Sequence, residues 1–245
     1  MRIALFSDVH GNQLALQAVL RDIRALGVDM TAFLGDAATL GPRPREVLHT
    51  LKELQCPCIM GNHDEFLLEP DLVLRYTSVP VIVEAIQWCS EQLTPDDVNF
   101  VRSFQRQLEI PLPGERRLLL FHGSPLCHTT DLLATTPPEQ LEEQLGPKRA
   151  DVMAGGHTHI QMLRQHRGIW LVNPGSVGMP FREYVSGARP EIQPYAEYAI
   201  VNAQETGIGV ELRRVPLTKE ALREEIHAWP CPPDLLQSDM LLQYA

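Results

Sequence analysis

The first 64 residues alternate between short apolar runs and amphipathic stretches, a rhythm that predicts strand, helix, strand, helix, strand. Residues 2–6, Arg2-Ile3-Ala4-Leu5-Phe6, are short and apolar, as in a buried strand. Asn12 stands where a helix cap belongs. Leu16, Val19, Leu20 and Ile23 then recur on one helical face to about residue 26, and Gly27 ends the run. Residues 30–34 predict a second strand. Pro44 suits the first turn of a second helix, whose stripe is Val47, Leu48 and Leu51, and residues 58–60 predict a third strand. This order implies parallel pairing with right-handed crossovers.

Residues 66–108 read as mainly helical. Val83, Ile86 and Gln87 open a helix that runs to residue 93. Thr94-Pro95-Asp96-Asp97 is a helix start, with Thr94 as cap and Pro95 in the first position. Residues 108–112 and 118–121 predict neighbouring strands across Pro113-Gly114-Glu115. After residue 150 strands dominate, at 152–154, 161–165, 169–172, 198–201 and 210–215. Thr218 caps a last helix to about residue 227. Pro230, Pro232 and Pro233 forbid its continuation, so an extended arm is expected from about residue 230. With no internal repeat and no sign of a boundary, the expectation is one α/β (α+β) domain over residues 1–245. Two mixed sheets packed face to face with helices outside is the simplest packing of these elements.

Charge narrows the function. A formal net charge of −10 disfavours wrapping long nucleic acid, which relies on Lys and Arg against phosphates. A small anionic substrate remains compatible, because bound cations would reverse the local field. The opening Met1-Arg2-Ile3-Ala4-Leu5-Phe6-Ser7-Asp8 is too polar for a signal peptide, and no apolar stretch approaches the roughly 18–20 residues of a membrane span. Five cysteines suit a reducing, cytoplasmic setting. Cys56-Pro57-Cys58 reads as two small apolar residues leading into a strand, since no second cysteine pair completes a zinc site. Oligomer formation is left open.

Five motifs carry the chemistry: Asp8-Val9-His10, Gly35-Asp36, Gly61-Asn62-His63-Asp64, His122-Gly123 and Gly155-Gly156-His157-Thr158-His159. Each follows an apolar run that reads as a strand, and strand ends are where α/β proteins place ligands. Side chains two apart on an extended segment point the same way, so Asp8 and His10 can grip one metal. Asp36 adds a carboxylate able to bridge two cations, Asn62 an amide oxygen and His122 an imidazole. His157 and His159 repeat the two-apart spacing, so one can face each metal. The donors are nitrogen and oxygen without sulfur, which suits two divalent or trivalent ions drawn from Mn, Fe, Ni, Co or Zn. Two such ions roughly 3.5–4 Å apart suit in-line displacement at phosphorus.

In this order the motifs resemble the calcineurin-like metallophosphoesterase superfamily, over roughly residues 1–200. The resemblance implies a four-layer αββα sandwich. It implies Asp8, His10 and His159 on a first metal, Asn62, His122 and His157 on a second, and Asp36 bridging. His63 would be the general acid, oriented by Asp64, and a metal-bridging hydroxide would attack the phosphoester directly. Asp8-Val9-His10-Gly11-Asn12, Gly41-Pro42 with Pro44, His122-Gly123-Ser124-Pro125 and Asn173-Pro174-Gly175-Ser176-Val177-Gly178 resemble the small bacterial and archaeal phosphodiesterase-like branch. The Asn173-Pro174-Gly175-Ser176 turn either simply follows a strand or shapes the pocket.

The chain also departs from the superfamily's protein phosphatases. These carry arginines soon after the G-D and N-H-E motifs, where this chain has Ala37-Ala38-Thr39 and Glu65-Phe66. Arg43, Arg45 and Arg182 are candidate substitutes. The function expected is hydrolysis of a small phosphodiester or phosphomonoester. The alternatives are a nucleotide pyrophosphohydrolase, a protein phosphatase, a nuclease for short nucleotides, or a non-catalytic binding scaffold. Loss of the histidine in the N-H-D motif would mark a scaffold, and His63 is retained. Residues 37–45, 65–80 and 124–136 are expected to shape the pocket.

Overall fold

A computed structural model describes residues 1–184 and 190–227. The expected arm from about residue 230, with its three prolines, lies outside the described residues. In chain order the elements are β1 (Arg2–Phe6), α1 (Gln13–Leu26), β2 (Met30–Phe33), α2 (Pro44–Leu54), α3 (Asn62–Leu68), α4 (Val73–Tyr76), α5 (Pro80–Glu91), α6 (Pro95–Arg102), β3 (Leu108–Leu112) and β4 (Arg116–Leu120). They continue with α7 (Pro138–Leu145), β5 (Val152–Ala154), β6 (Met162–His166), β7 (Ile169–Asn173), β8 (Tyr195–Gln204), β9 (Gly207–Pro216) and α8 (Lys219–His227).

The strands form two mixed sheets, one ordered β2-β1-β8-β9 and the other β3-β4-β5-β7-β6. In the first, β1 runs parallel to β2 and antiparallel to β8. In the second, β5 lies parallel to both β4 and β7. Strand alternation sorts side chains into layers. Ile3, Leu5, Leu118 and Leu120 enter one buried cluster between the sheets. Ala4 and Phe6 face the other way, onto Leu16, Val19 and Leu20 of α1 and Val47, Leu48 and Leu51 of α2. Leu119 and Met153 face out from the second sheet onto Leu141 and Leu145 of α7. The result is the expected helix–sheet–sheet–helix stack.

Differences from the sequence reading have local causes. Residues 58–60 do not form a strand of their own. Cys58 makes a single parallel bridge to Phe33 and Ile59 one to Gln105, because the chain enters α3 at Asn62 before a ladder can grow. The strands expected at 198–201 and 210–215 lie within a hairpin of two ten-residue strands, paired from Tyr195↔Pro216 to Gln204↔Gly207. Its polar positions hid its length: β9 is an edge strand with little burial, and Glu197 sits inside β8 although it is buried. Helix α5 starts at Pro80, three residues before the apolar residues that announced it, because proline fits a first turn. Helix α7 has no counterpart in the sequence periodicity: only Leu141 and Leu145 of its eight residues are buried, too short a stripe to stand out.

The Asn12 cap holds more than a helix. Its side-chain oxygen accepts from Ala15 N at 3.0 Å, and its amide donates to Gly178 O at 3.2 Å, tying the start of α1 to the segment after β7. Asn12→Ala removes both bonds and should lower unfolding free energy by about 1–3 kcal/mol in urea titration, from the lost cap and the lost hydrogen bond together. A loss under about 0.3 kcal/mol would show that the backbone alone fixes this junction.

Candidate metal centre

Six of the seven candidate ligands follow a strand: Asp8 and His10 follow β1, Asp36 follows β2, His122 follows β4, and His157 and His159 follow β5, whereas Asn62 opens α3. The loops continue the pairing of their strands as a backbone ladder. Asp8 N donates to Gly35 O at 2.9 Å, His10 N to Asp36 O at 3.1 Å, and Gly11 N to Ala37 O at 2.9 Å. Gly156 N donates to His122 O at 2.8 Å, and Gly178 N to Asp8 O at 2.9 Å.

Strand alternation is not what makes Asp8 and His10 converge. Both are left-handed, with φ of 55° and 46°, as are Asp36 at 64°, His157 at 71° and His159 at 59°. These are five of the nine non-glycine residues with positive φ among the described residues. Such backbone costs on the order of 1 kcal/mol or more per residue and persists only where surrounding bonds impose it. Here the loop ladder imposes it and turns the side chains inward. Two glycines make room: a Cβ on Gly61 would collide with Asp36, and one on Gly156 with Ser7 and Asp8.

The side chains gather as two groups, Asp8 with His10 and His159, and Asp36 with His122 and His157. In the first, His159 Nε2 lies 3.3 Å from Asp8 Oδ1 and 3.0 Å from His10 Nε2. In the second, His122 Nε2 lies 3.2 Å from Asp36 Oδ2. Asp36 Oδ2 is also 3.8 Å from His10 Nε2, so one oxygen faces both groups. The other oxygen, Oδ1, accepts from His63 N at 2.9 Å. Asp8 divides its oxygens similarly: Oδ2 accepts from His157 N at 3.1 Å, while Oδ1 faces the imidazoles.

Three observations fit cations here. First, backbone carbonyls fix two tautomers. His122 Nδ1 donates to Leu34 O at 2.6 Å and His159 Nδ1 to Met179 O at 2.8 Å, which turns each Nε2 lone pair inward. Second, Asp8 Oδ1, His122 Nε2 and both side-chain polar atoms of the fully buried Asn62 have no hydrogen-bond partner. Buried polar atoms are otherwise almost always paired. Third, two nitrogens about 2.1 Å from one cation and at right angles lie about 3.0 Å apart, the His10–His159 separation. The field is strong. Burial opposes charge on His122, yet Asp36 and Asp8 outweigh it and push the imidazole up to about 10. Burial and then His122 press His157 down to about 4.

His63 lines the cavity beside these groups, but Asp64 does not orient it. Asp64 Oδ2 accepts from Asp36 N at 2.8 Å and Gly61 N at 2.9 Å, and Oδ1 accepts from Ala37 N at 2.8 Å. The buried carboxylate staples the Asp36 turn to the start of α3, where free N–H groups attract it. Thr39 takes the orienting place, its Oγ1 standing 2.9 Å from His63 Nδ1 and 3.3 Å from His10 Nδ1. Sequence gave no sign of this, because Thr39 and His63 are 24 residues apart. The Asn173–Ser176 turn shapes the site from behind. Asn173 Nδ2 donates to Gly156 O at 2.7 Å, and Ser176 Oγ to Asp8 O at 2.7 Å.

The cavity in front of the groups measures about 210 Å³. Its wall beyond the histidines and Asp36 is Leu40, Tyr76, Ile82, Met179, Phe181, Pro190 and Ile192. Leu40 and Tyr76 come from expected pocket segments; Ile82, Met179, Phe181, Pro190 and Ile192 lie outside them. None of the three candidate arginines reaches the cavity. Arg43 pairs with Glu225 at 2.9 Å, Arg45 with Asp97 at 3.0 Å and Arg182 with Glu191 at 2.9 Å.

The pattern of the calcineurin-like phosphoesterase superfamily domain matches residues 1–204. The chain belongs to this superfamily. Its relatives include the uncharacterized protein MJ0912 of Methanocaldococcus jannaschii, 27% identical over 193 residues that cover 73% of this chain and 76% of that protein. Phosphodiesterase YfcE of Escherichia coli is 25% identical over 190 residues, 74% of this chain and 81% of the relative. Among solved structures, a metallophosphoesterase from Sphaerobacter thermophilus superposes with a TM-score of 0.74 at 25% identity over all of both chains. The hypothetical protein PH1004 of Pyrococcus horikoshii shares the fold, with a TM-score of 0.80 at 20% identity over 96% of each chain. The superfamily is metal-dependent, and the two side-chain groups of this chain could each hold an ion.

The stapling role of Asp64 has its own signature. Asp64→Asn replaces an acceptor of N–H groups with an amide donor, so it should cost about 1–3 kcal/mol of stability and lower metal content measured by elemental analysis. Normal stability and metal content with slowed turnover would instead assign Asp64 to His63.

Proposed function

We propose that this protein is a dinuclear metal-dependent phosphoesterase acting on small phosphoesters, phosphodiesters foremost. The observation that carries this reading is Asp36 Oδ2, which faces both ligand groups at the floor of a cavity that His63 lines. Asp8, His10 and His159 would hold one cation, Asn62, His122 and His157 the other, and Asp36 both. Bound cations would lower the pKa of a coordinated water and neutralise phosphoryl oxygens.

The protein's own residues supply orientation and a proton. His63 Nδ1 is engaged by Thr39, which leaves Nε2 to face the cavity and protonate the departing alkoxide. The helix that starts at Asn62 sets its backbone, with His63 N on Asp36 Oδ1, so the acid moves with the bridging carboxylate. Arg43, Arg45 and Arg182 are paired elsewhere, and among the described residues no arginine lines the cavity to clamp a phosphate dianion. That favours a singly charged diester and weighs against the protein-phosphatase and pyrophosphohydrolase alternatives. The relation to phosphodiesterase YfcE supports the same choice. No helix among the described residues is long and apolar enough to cross a membrane, and four cysteines there are free, in keeping with a cytoplasmic setting.

Metal-stripped protein, reloaded separately with Mn, Fe, Ni, Co or Zn and assayed on aryl mono- and diesters, should regain diesterase activity in step with two bound ions per chain. Hydrolysis indifferent to chelation, or two bound ions without hydrolysis of any ester, would reject the reading. His63→Ala should lower turnover about 10²–10⁴-fold while metal content stays near normal. Unchanged turnover would remove His63 from the chemistry.

A further inference from the structure

The cavity wall bears on the organic part of the substrate. The described residues of the wall are apolar or aromatic apart from the histidines and Asp36, and include no lysine or arginine. Two rings flank the metal groups. Phe181 stacks on His159, with centroids 4.4 Å apart and planes 29° apart. Tyr76 meets the edge of His63 at 6.4 Å and lies 5.8 Å from Phe66. Phe181 is held in place, since its N–H donates to His159 O at 3.2 Å and it bridges to Ile192 across an antiparallel pair. Leu40, Ile82 and Met179 fill the wall between.

We propose that this wall selects phosphoesters carrying a flat aromatic or heterocyclic group, seated against Phe181 and Tyr76 while the phosphoryl group lies at Asp36 and His63. The inference rests on the phosphoesterase reading and adds the substrate class. Charge and size both point this way. Against the described wall an added phosphate would meet apolar side chains, with no lysine or arginine among them to pair it, at the cost of desolvation. A cavity of about 210 Å³ is small beside the roughly 300–1,000 Å³ of sites for larger ligands, which suits one phosphoryl group with one ring system. Fixed rings lose little conformational freedom on binding and favour offset or edge contacts with another π face. Sequence placed Tyr76 in an expected pocket segment but could not pair it with Phe181, which stands 105 positions away and outside every motif.

Calorimetry on the metal-loaded protein with phenylphosphonate and methylphosphonate tests it without turnover, since neither compound has an ester to cleave. Phenylphosphonate should bind about tenfold more tightly, and Phe181→Ala should bring the ratio toward one. Tyr76→Ala, at a half-exposed helix end where folding is little at risk, should reduce the ratio too. Equal affinities in the native protein, or a ratio unchanged in both variants, would overturn the proposal. If the phenyl preference holds but no phosphoester is hydrolysed, the phosphoesterase reading fails and the wall's preference stands. If esters are hydrolysed and the affinities are equal, only the substrate class fails.

Discussion

Two buried carboxylates govern this structure. Asp8 and Asp36 are at most 1% exposed, and placing a carboxylate that deep costs several kcal/mol unless charge and hydrogen bonds offset it. The fold supplies one backbone N–H to each, from His157 to Asp8 and from His63 to Asp36. Among the described residues the remaining oxygens face imidazole nitrogens at 3.2–4.0 Å, and a cation would complete the compensation. The rest of the site follows from that demand. Left-handed turns aim the side chains, glycines leave room beside them, and carbonyls of Leu34 and Met179 fix which histidine nitrogen faces inward. The strained turns are tolerable because they lie where two sheets, each packed on both faces, hold the strand ends that feed them.

The sequence was informative where chemistry and periodicity coincide. Asp8, His10, Asp36, His122, His157 and His159 stood out because few roles other than metal binding need such groups after successive strands, and the structure gathers all six. Helix α1 was legible to the residue, since Asn12 and Gly27 act through neighbours three or four positions away. Long-range partners were another matter. Asp64 follows His63 directly, so an orienting bond between them was a natural inference, whereas the turn that claims Asp64 is made by residues 27 and 28 positions earlier. Arg43, Arg45 and Arg182 had the right charge for a phosphate clamp, but Glu225, Asp97 and Glu191 hold them elsewhere. An ion pair formed only by the fold leaves no local trace.

The same contrast separates the reaction from its substrate. The groups that gather around Asp36 come from motifs at strand ends and, in the proposed function, would answer to the charge of a phosphoryl group. The described wall comes from Leu40, Tyr76 at the end of α4, Ile82 of α5 and Met179, Phe181, Pro190 and Ile192 after β7; these residues include no lysine or arginine and offer shape and polarisability instead. Thr39 connects the two regions, touching a ligand histidine on one side and the cavity histidine on the other. A chain with the same strand ends and a different wall would keep the chemistry and change its substrate.

The central claim is that two cations share Asp36. Anomalous diffraction from crystals loaded with Mn would test it most directly. The account predicts two peaks about 3.5–4 Å apart, one beside Asp8, His10 and His159, the other beside Asn62, His122 and His157, with an Asp36 oxygen reaching both. A single ion, or two ions with Asp36 bound to neither or only one, would contradict it.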